Sequence, residues 1–202
     1  MSLIENVKKT IEHTTGLGRP SDSQLKSLIR PCEPVALRFK DDGRTPNSPQ
    51  FPLLLYRSAF GFLPGLDPAA IIEEIFAHNG WKGSWRDGVY PFLHFHTATH
   101  ETLGLARGKA RIQFGGSKGQ TMDLKAGDAM VLPAGTGHRR MSASKDLLVV
   151  GAYPAGGRYD EPRPKEVDHD EAVAMIAKVR RPASDPVYGK TGPLLRLWPS
   201  DR

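Results

Sequence analysis

The sequence predicts a mainly β fold, an antiparallel sandwich or barrel with helical extensions at both ends. Three observations carry this. Between Tyr90 and Tyr153 the chain breaks into short β-type segments, "YPFLHFH", "ETLGLA", "KARIQFGG", "TMDLKAGD", "AMVLPAG" and "DLLVVGAY", divided by glycine turns. Closely spaced strands with turn signals between them mark an all-β sandwich or barrel. Helical periodicity is confined to the flanks. The longest apolar runs, "FPLLLY" and "LLVVGAY", fall far short of the ~20 residues that cross a bilayer.

Taken in order, residues 3 to 14 set Leu3, Ile4, Val7 and Ile11 at helical spacing. A second helix begins near Ser21, where Ser21 and Gln24 make a capping-box pattern ahead of an apolar face of Leu25, Leu28 and Ile29. "PCEP" stops it. The proline-rich passage from Pro31 to Pro52 is interrupted by "VALRFK", which alternates as a strand does, and "LLLYRSAF" reads as another. "LDPAAIIEEIFAHNG" is the clearest helix: Asp67 is its N-cap, Pro68 fits the first helical position, Asn79-Gly80 end it, and Ile72, Ile75 and Phe76 face the core. Trp81 and Trp85 follow. After the β region, "DHDEAVAMIAKV" reads as a helix capped by Asp168, and the tail "DPVYGKTGPLLRLWP" as a loop whose Trp198 packs on the barrel. The expected organisation is one structural domain: residues 1-87 as helices and strands packing on the barrel, 88-155 as the β core, and 156-202 as the C-terminal helix and tail.

Composition narrows the function. The 202 residues are 39% hydrophobic and 25% charged, a globular balance. The net charge of +6 comes from basic residues that are scattered, with no stretch interleaving them with aromatics, so no nucleic-acid partner is expected. Nor is a membrane partner. The start "MSLIENVKKTIEH" has no apolar core of a signal peptide, which points to the cytoplasm. Cys32, the single cysteine, sits in "RPCEP" without a CxxC partner and reads as a packed thiol. "GGSKGQ" lacks the GxxxxGK[ST] pattern and a following helix, so it is a hairpin turn and not a phosphate loop.

The chemistry lies in "HFHTATHETLG", residues 94 to 104, which holds three of the seven histidines. On a strand, alternation puts Tyr90, Phe92, His94 and His96 on one face, the two imidazoles about 7 Å apart. That suits two ligands on one ion. Glu101 opens the next strand after a short turn that can bring its carboxylate over the same face, and a further ligand has to come from a distant strand. "GDAMVLPAGTGHRR" supplies a candidate in His138, which follows a turn at Gly127-Asp128 and a buried strand.

These stretches resemble the two motifs of the cupins. The first, G-x5-H-x-H-x(3,4)-E-x6-G, is met by Gly88, His94, His96, Glu101 and Gly108 at those spacings; the second, G-x5-P-x-G-x2-H-x3-N, by Gly127, Pro133, Gly135 and His138, with Ser142 in place of the final asparagine. The flanks "NGWKGSWRDG", "THETLGLARGKARIQFGG" and "LVVGAYPAGG" look further like the YjlB-type bacterial cupins. The resemblance implies a double-stranded β-helix, an RmlC-like jelly-roll barrel, with His94, His96, Glu101 and His138 meeting inside it. Three neutral imidazoles and one carboxylate form a set suited to one divalent transition ion, Fe, Mn, Ni, Co or Zn, with no thiolate to choose among them. Such a centre keeps a net positive charge and open positions for an oxygen ligand.

Other residues are read around that set. His100 should face away from Glu101 by parity, standing behind the ligands or at the surface. His13, His78 and His169 fall in helices or their caps and read as solvated. Tyr90, Phe92 and Arg140 are expected to line a substrate pocket, Arg140 by alternation from His138 pairing with an anion. Leu103, Ile112, Phe114, Val131 and Leu148 read as barrel lining or core. The sequence singles out no catalytic residue. It points to a metal-dependent enzyme of dioxygenase, isomerase or lyase type acting on a small oxygen-rich or acidic metabolite. A metal- or metabolite-binding cupin without turnover is the alternative. The first two helices, about 30 residues together, are too few for a helix-turn-helix regulator. "VALRFK" and "LLLYRSAF" can extend a sheet across a homodimer.

Overall fold

The computed structural model describes residues 17–200, so the helix expected over residues 3 to 14, with His13, lies outside the described residues. Helix α1 (Asp22–Leu25) is a single turn that runs on into a 3-10 turn, Lys26–Leu28. Its capping box forms as read, the Ser21 amide donating to Gln24 Oε1 at 2.9 Å, and Leu25 and Leu28 are buried. The strands are β1 (Val35–Leu37), β2 (Leu53–Tyr56), β3 (Trp81–Asp87), β4 (Glu101–Arg107), β5 (Lys109–Phe114), β6 (Gln120–Lys125), β7 (Ala129–Leu132), β8 (His138–Ala143) and β9 (Leu148–Pro154). They make two sheets, one of six strands in the order β1-β2-β7-β4-β9-β3 and one of three in the order β6-β5-β8. Every pairing is antiparallel.

Alternation assigns the two faces of the large sheet to two cores. Leu53, Leu55, Leu103, Leu105, Met130, Leu132 and Val149 point inward and meet Ile112 and Phe114 from the smaller sheet. The residues between them, Leu54, Tyr56, Ala106, Val131, Val150 and Ala152, point outward. There they meet helix α2 (Pro68–His78), whose Ile71, Ile72, Ile75 and Phe76 lie against the sheet. A sheet covered on both faces needs apolar residues at every position, which is why "LLLY" and "AMVL" are continuous runs. The helix comes close enough that a Cβ at Gly104 would stand 2.7 Å from Ile72. Its N-cap is Asp67, accepting from the Ala69 amide at 3.1 Å, and it ends at Asn79 and the positive-φ Gly80.

Several expectations change. "YPFLHFH" makes no regular strand: Pro91 cannot donate, and the only bridge joins His94 to His138. The segment still lies along β8, because the Arg140 amide donates to Tyr90 O at 2.8 Å and the Gly135 amide to His96 O at 2.7 Å. "WKGSWRD", which has no clean alternation, is strand β3; its register on β9 shifts between Lys82 and Trp85, with Gly83 at φ +65. Of the residues expected as barrel lining or core, Val131 is in the core between the sheet and helix α2 and Leu148 packs against it, while Leu103, Ile112 and Phe114 are in the barrel interior. The turn "GGSKGQ" joins β5 to β6 as read.

Helix α3 (His169–Ile176) is capped by Asp168, which accepts from the Glu171 amide at 3.0 Å. The tail contains a short helix, α4 (Pro193–Leu197), and Trp198 is fully buried in the outer core. Asp185 fastens this tail: its buried carboxylate accepts from Tyr56 Oη at 2.6 Å and from the amides of Val187, Tyr188 and Leu194 at 2.8, 3.0 and 3.1 Å. Among the described residues no helix is long and apolar enough to cross a membrane.

Candidate metal centre

Glu101 is the first residue of β4 and shares the inward face with Leu103 and Leu105. His138 is the first residue of β8. His94 is tied to it by a reciprocal pair of backbone bonds, amide to carbonyl, at 3.2 and 2.9 Å. Two residues on, His96 falls on the same side, while Phe95 is buried on the other. The turn that returns the chain to Glu101 is held from outside: the Asp160 carboxylate accepts from the amides of Thr97 and Ala98 and from the Thr97 hydroxyl. All four side chains are buried, none more than 5% exposed.

A ring nitrogen from each of His94, His96 and His138 lies within 4.8 Å of the other two. Hydrogen bonds decide which nitrogen. Nδ1 of His94 faces Phe92 O at 3.2 Å, Nδ1 of His138 faces Thr136 O at 3.0 Å, and Nδ1 of His96 meets Asp160 O. A carbonyl only accepts, so each Nδ1 carries the proton and each Nε2 is left to the centre. Glu101 Oε2 joins them at 3.2 Å from His96 Nε2 and 3.4 Å from His138 Nε2. Oε1 accepts from Tyr153 Oη at 3.2 Å, and Tyr153 Oη accepts from Trp85 Nε1 at 2.9 Å.

The electrostatics suit a cation. Burial and the neighbouring His138 lower the His94 pKa to about 3, keeping it neutral. Burial works against charge on His96 too, but the Glu101 carboxylate overrides it and raises that pKa to about 9. Burial would raise the Glu101 pKa, yet His96 and His138 hold it below the usual carboxylate range. The field that favours a proton between His96 and Glu101 favours a metal ion at the same point. The three imidazole nitrogens, with their far sides hydrogen-bonded, form the group that can hold a divalent transition ion, and Glu101 Oε2 stands beside two of them, His96 and His138.

The group lies in the wall of a cavity of about 680 Å³, lined also by Trp85, Val89, Tyr90, Leu103, Tyr153, Tyr159 and Glu161. Of the expected pocket residues, Tyr90 is in this lining. Phe92 and Arg140 are not: Phe92 stacks on Tyr90 and lies 4.0 Å beneath the Arg163 guanidinium, and Arg140 Nη1 lies beside Gly88. Arg86 does reach the lining, but its guanidinium is taken by Glu73 at 2.8 and 2.9 Å and by Asp67 at 2.6 Å.

His100 faces away from Glu101, as parity requires, and is buried. Its Nδ1 accepts from the Ala134 amide at 3.0 Å, its Nε2 donates to Arg180 O at 3.0 Å, and its ring packs against the stacked pair of Phe51 and Trp198. It joins the barrel to the tail. His78 is exposed, and His169, partly exposed, has Nε2 2.9 Å from an Asp41 carboxylate oxygen. Sequence reasoning missed Tyr153, Tyr159, Asp160 and Glu161. Tyr153 had a signal, since Val149, Gly151 and Tyr153 alternate on one face of β9; the loop residues had none.

An antiparallel barrel with these two motifs, gathering imidazoles and a carboxylate at one end, defines a cupin. The chain belongs to the YjlB family of cupins: it is 46% identical over 160 residues to YjlB of Bacillus subtilis (strain 168), an alignment covering 79% of this chain and 93% of the relative. No family model matches the chain. Solved structures similar to it include a mutant of the Bacillus subtilis oxalate decarboxylase OxdC, at 20% identity and TM-score 0.32 over 55% of this chain and 22% of that one. Another is the acireductone dioxygenase of Bacillus anthracis with a cadmium ion in its active centre, at 16% identity and TM-score 0.32 over 44% of this chain and 62% of that one.

Proposed function

We propose that the protein is a metal-dependent enzyme of the dioxygenase, isomerase or lyase type. In this reading His94, His96, His138 and Glu101 hold one divalent transition ion, and the substrate is a small oxygen-rich metabolite. The observation that carries the proposal is the convergence of three imidazole nitrogens within 4.8 Å of one another, in a cavity that also has tyrosines in its lining. A bound ion would supply a positive centre that polarises a carbonyl or binds carboxylate and enolate oxygens. The chain's own residues do the rest. Tyr90, Tyr159 and Glu161 put polar groups in the lining, the Tyr159 hydroxyl donating to the Glu161 carboxylate. Trp85, Val89 and Leu103 give the cavity apolar wall. Polar groups beyond the ligands favour turnover over storage, because a site that only holds an ion has no use for them.

The test is metal content after purification without added metal, followed by a screen of oxo and hydroxy acids with the metal-loaded protein. Wild type should retain a divalent ion. His96→Ala should hold at least about tenfold less, and exposed His78→Ala as much as wild type. Equal content in wild type and His96→Ala overturns the assignment.

The expected homodimer belongs to this proposal. Among the described residues strand β1 is one of the two edges of the six-stranded sheet, with Val35 exposed, and an open edge can pair with another copy. Light scattering should give twice the chain mass; one species at the chain mass overturns it.

A further inference from the structure

We propose that Tyr153, backed by Trp85, is the positioning residue that makes Glu101 present a single oxygen to the three imidazoles. This rests on the metal reading above.

The direction of the hydrogen bonds is forced. An indole N–H only donates, so the bond from Trp85 Nε1 at 2.9 Å occupies a lone pair of the Tyr153 hydroxyl. The hydroxyl's one proton then goes to Glu101 Oε1, 3.2 Å away. Oε1 is held on the Tyr153 side, and Oε2 is the oxygen facing His96 and His138 at 3.2 and 3.4 Å. Turning both oxygens toward the imidazoles would break the charge-assisted bond from Tyr153 and with it the chain that runs back to the Trp85 indole. The carboxylate therefore presents one oxygen, Oε2, toward the imidazoles.

The backbone is arranged for this chain of contacts. Trp85 pairs with Gly151 across β3 and β9, just after the register shift that begins at Lys82. Its ring lies directly over that glycine: a Cβ at Gly151 would be 2.1 Å from Trp85 Cε2. Tyr153 is two residues further along β9, on the same face. A side chain at 151 would push the indole off its partner.

Tyr153→Phe keeps the ring and removes only the hydroxyl. Affinity for Co(II), used as the probe in chelator competition, should fall about tenfold or more. The d–d absorption of bound Co(II) should change, because Glu101 is released to turn. Trp85→Phe should shift both in the same direction by less, and should add little in the Tyr153→Phe background. A residue that only supports the fold would alter thermal stability without changing the Co(II) spectrum, and without that coupling. Wild-type affinity and an unchanged spectrum in Tyr153→Phe overturn the proposal while leaving the metal reading intact. If Tyr153→Phe does not fold, an unchanged Co(II) spectrum in Trp85→Phe overturns it. Wild type that takes up no more Co(II) than His96→Ala overturns both.

Discussion

His94, His96 and His138 each spend Nδ1 on a backbone carbonyl, and that expenditure gives three strand-borne imidazoles a common outlook. His100 shows the opposite use of the same side chain. It sits next to Glu101 in sequence yet bonds to Ala134 N and Arg180 O, and burial lowers its pKa to about 4, so it stays neutral. The two roles separate in experiment. His100→Leu removes two hydrogen bonds and leaves the Ala134 amide buried and unpaired, so it should cost about 2–4 kcal/mol of stability, seen in urea denaturation, while metal content stays at the wild-type level. The parity of "HFH" and of His100 is legible in the sequence because period 2 survives wherever the chain is extended. The carbonyl behind His96 is not: Asp160 is 64 residues away, in a loop with no pattern to place it. Nor is the Arg163 guanidinium over the Phe92 ring, 71 residues on in the same patternless loop.

Elements follow the same division. Helix α2 reads cleanly because its caps and its apolar stripe agree, and the structure buries Ile72, Ile75 and Phe76 as that stripe requires. Strands β4 to β7 and β9 read cleanly from their turn glycines. Strand β3 does not, since its register shift spoils the alternation that would announce it. The contact between α2 and β4 depends on Gly104, where any side chain meets Ile72 and Phe60. Gly104→Val should destabilise the fold by about 1–3 kcal/mol through overpacking, measured by thermal or urea unfolding, with Co(II) binding retained in the folded fraction because the ligands lie on the other face of the sheet. Wild-type stability in this variant would mean that the helix can shift away at little cost.

At the scale of the whole molecule, the barrel is a framework onto which the C-terminal chain is fastened at separate points. Asp185 joins Tyr56 to three amides of the tail, and Trp198 donates Nε1 to Pro52 O at 2.9 Å. Asp185→Ala strands four donors, three of them buried. It should lower stability by about 3 kcal/mol or more and make the tail a site of early proteolysis; unchanged protease resistance would show that Trp198 suffices alone. The sequence gives Trp198 as a packing residue but offers no sign of the Asp185 hub, whose partners are set by the three-dimensional path of the tail.

Residues 159 to 162 have two duties at once. Tyr159 and Glu161 stand in the cavity lining, while the Asp160 carbonyl takes the His96 ring proton and the Pro162 carbonyl accepts the Phe95 amide at 3.2 Å. Doorway and anchor are thus one piece of chain. A movement of this segment that widened the cavity would pull at the same time on the carbonyl that holds the His96 ring.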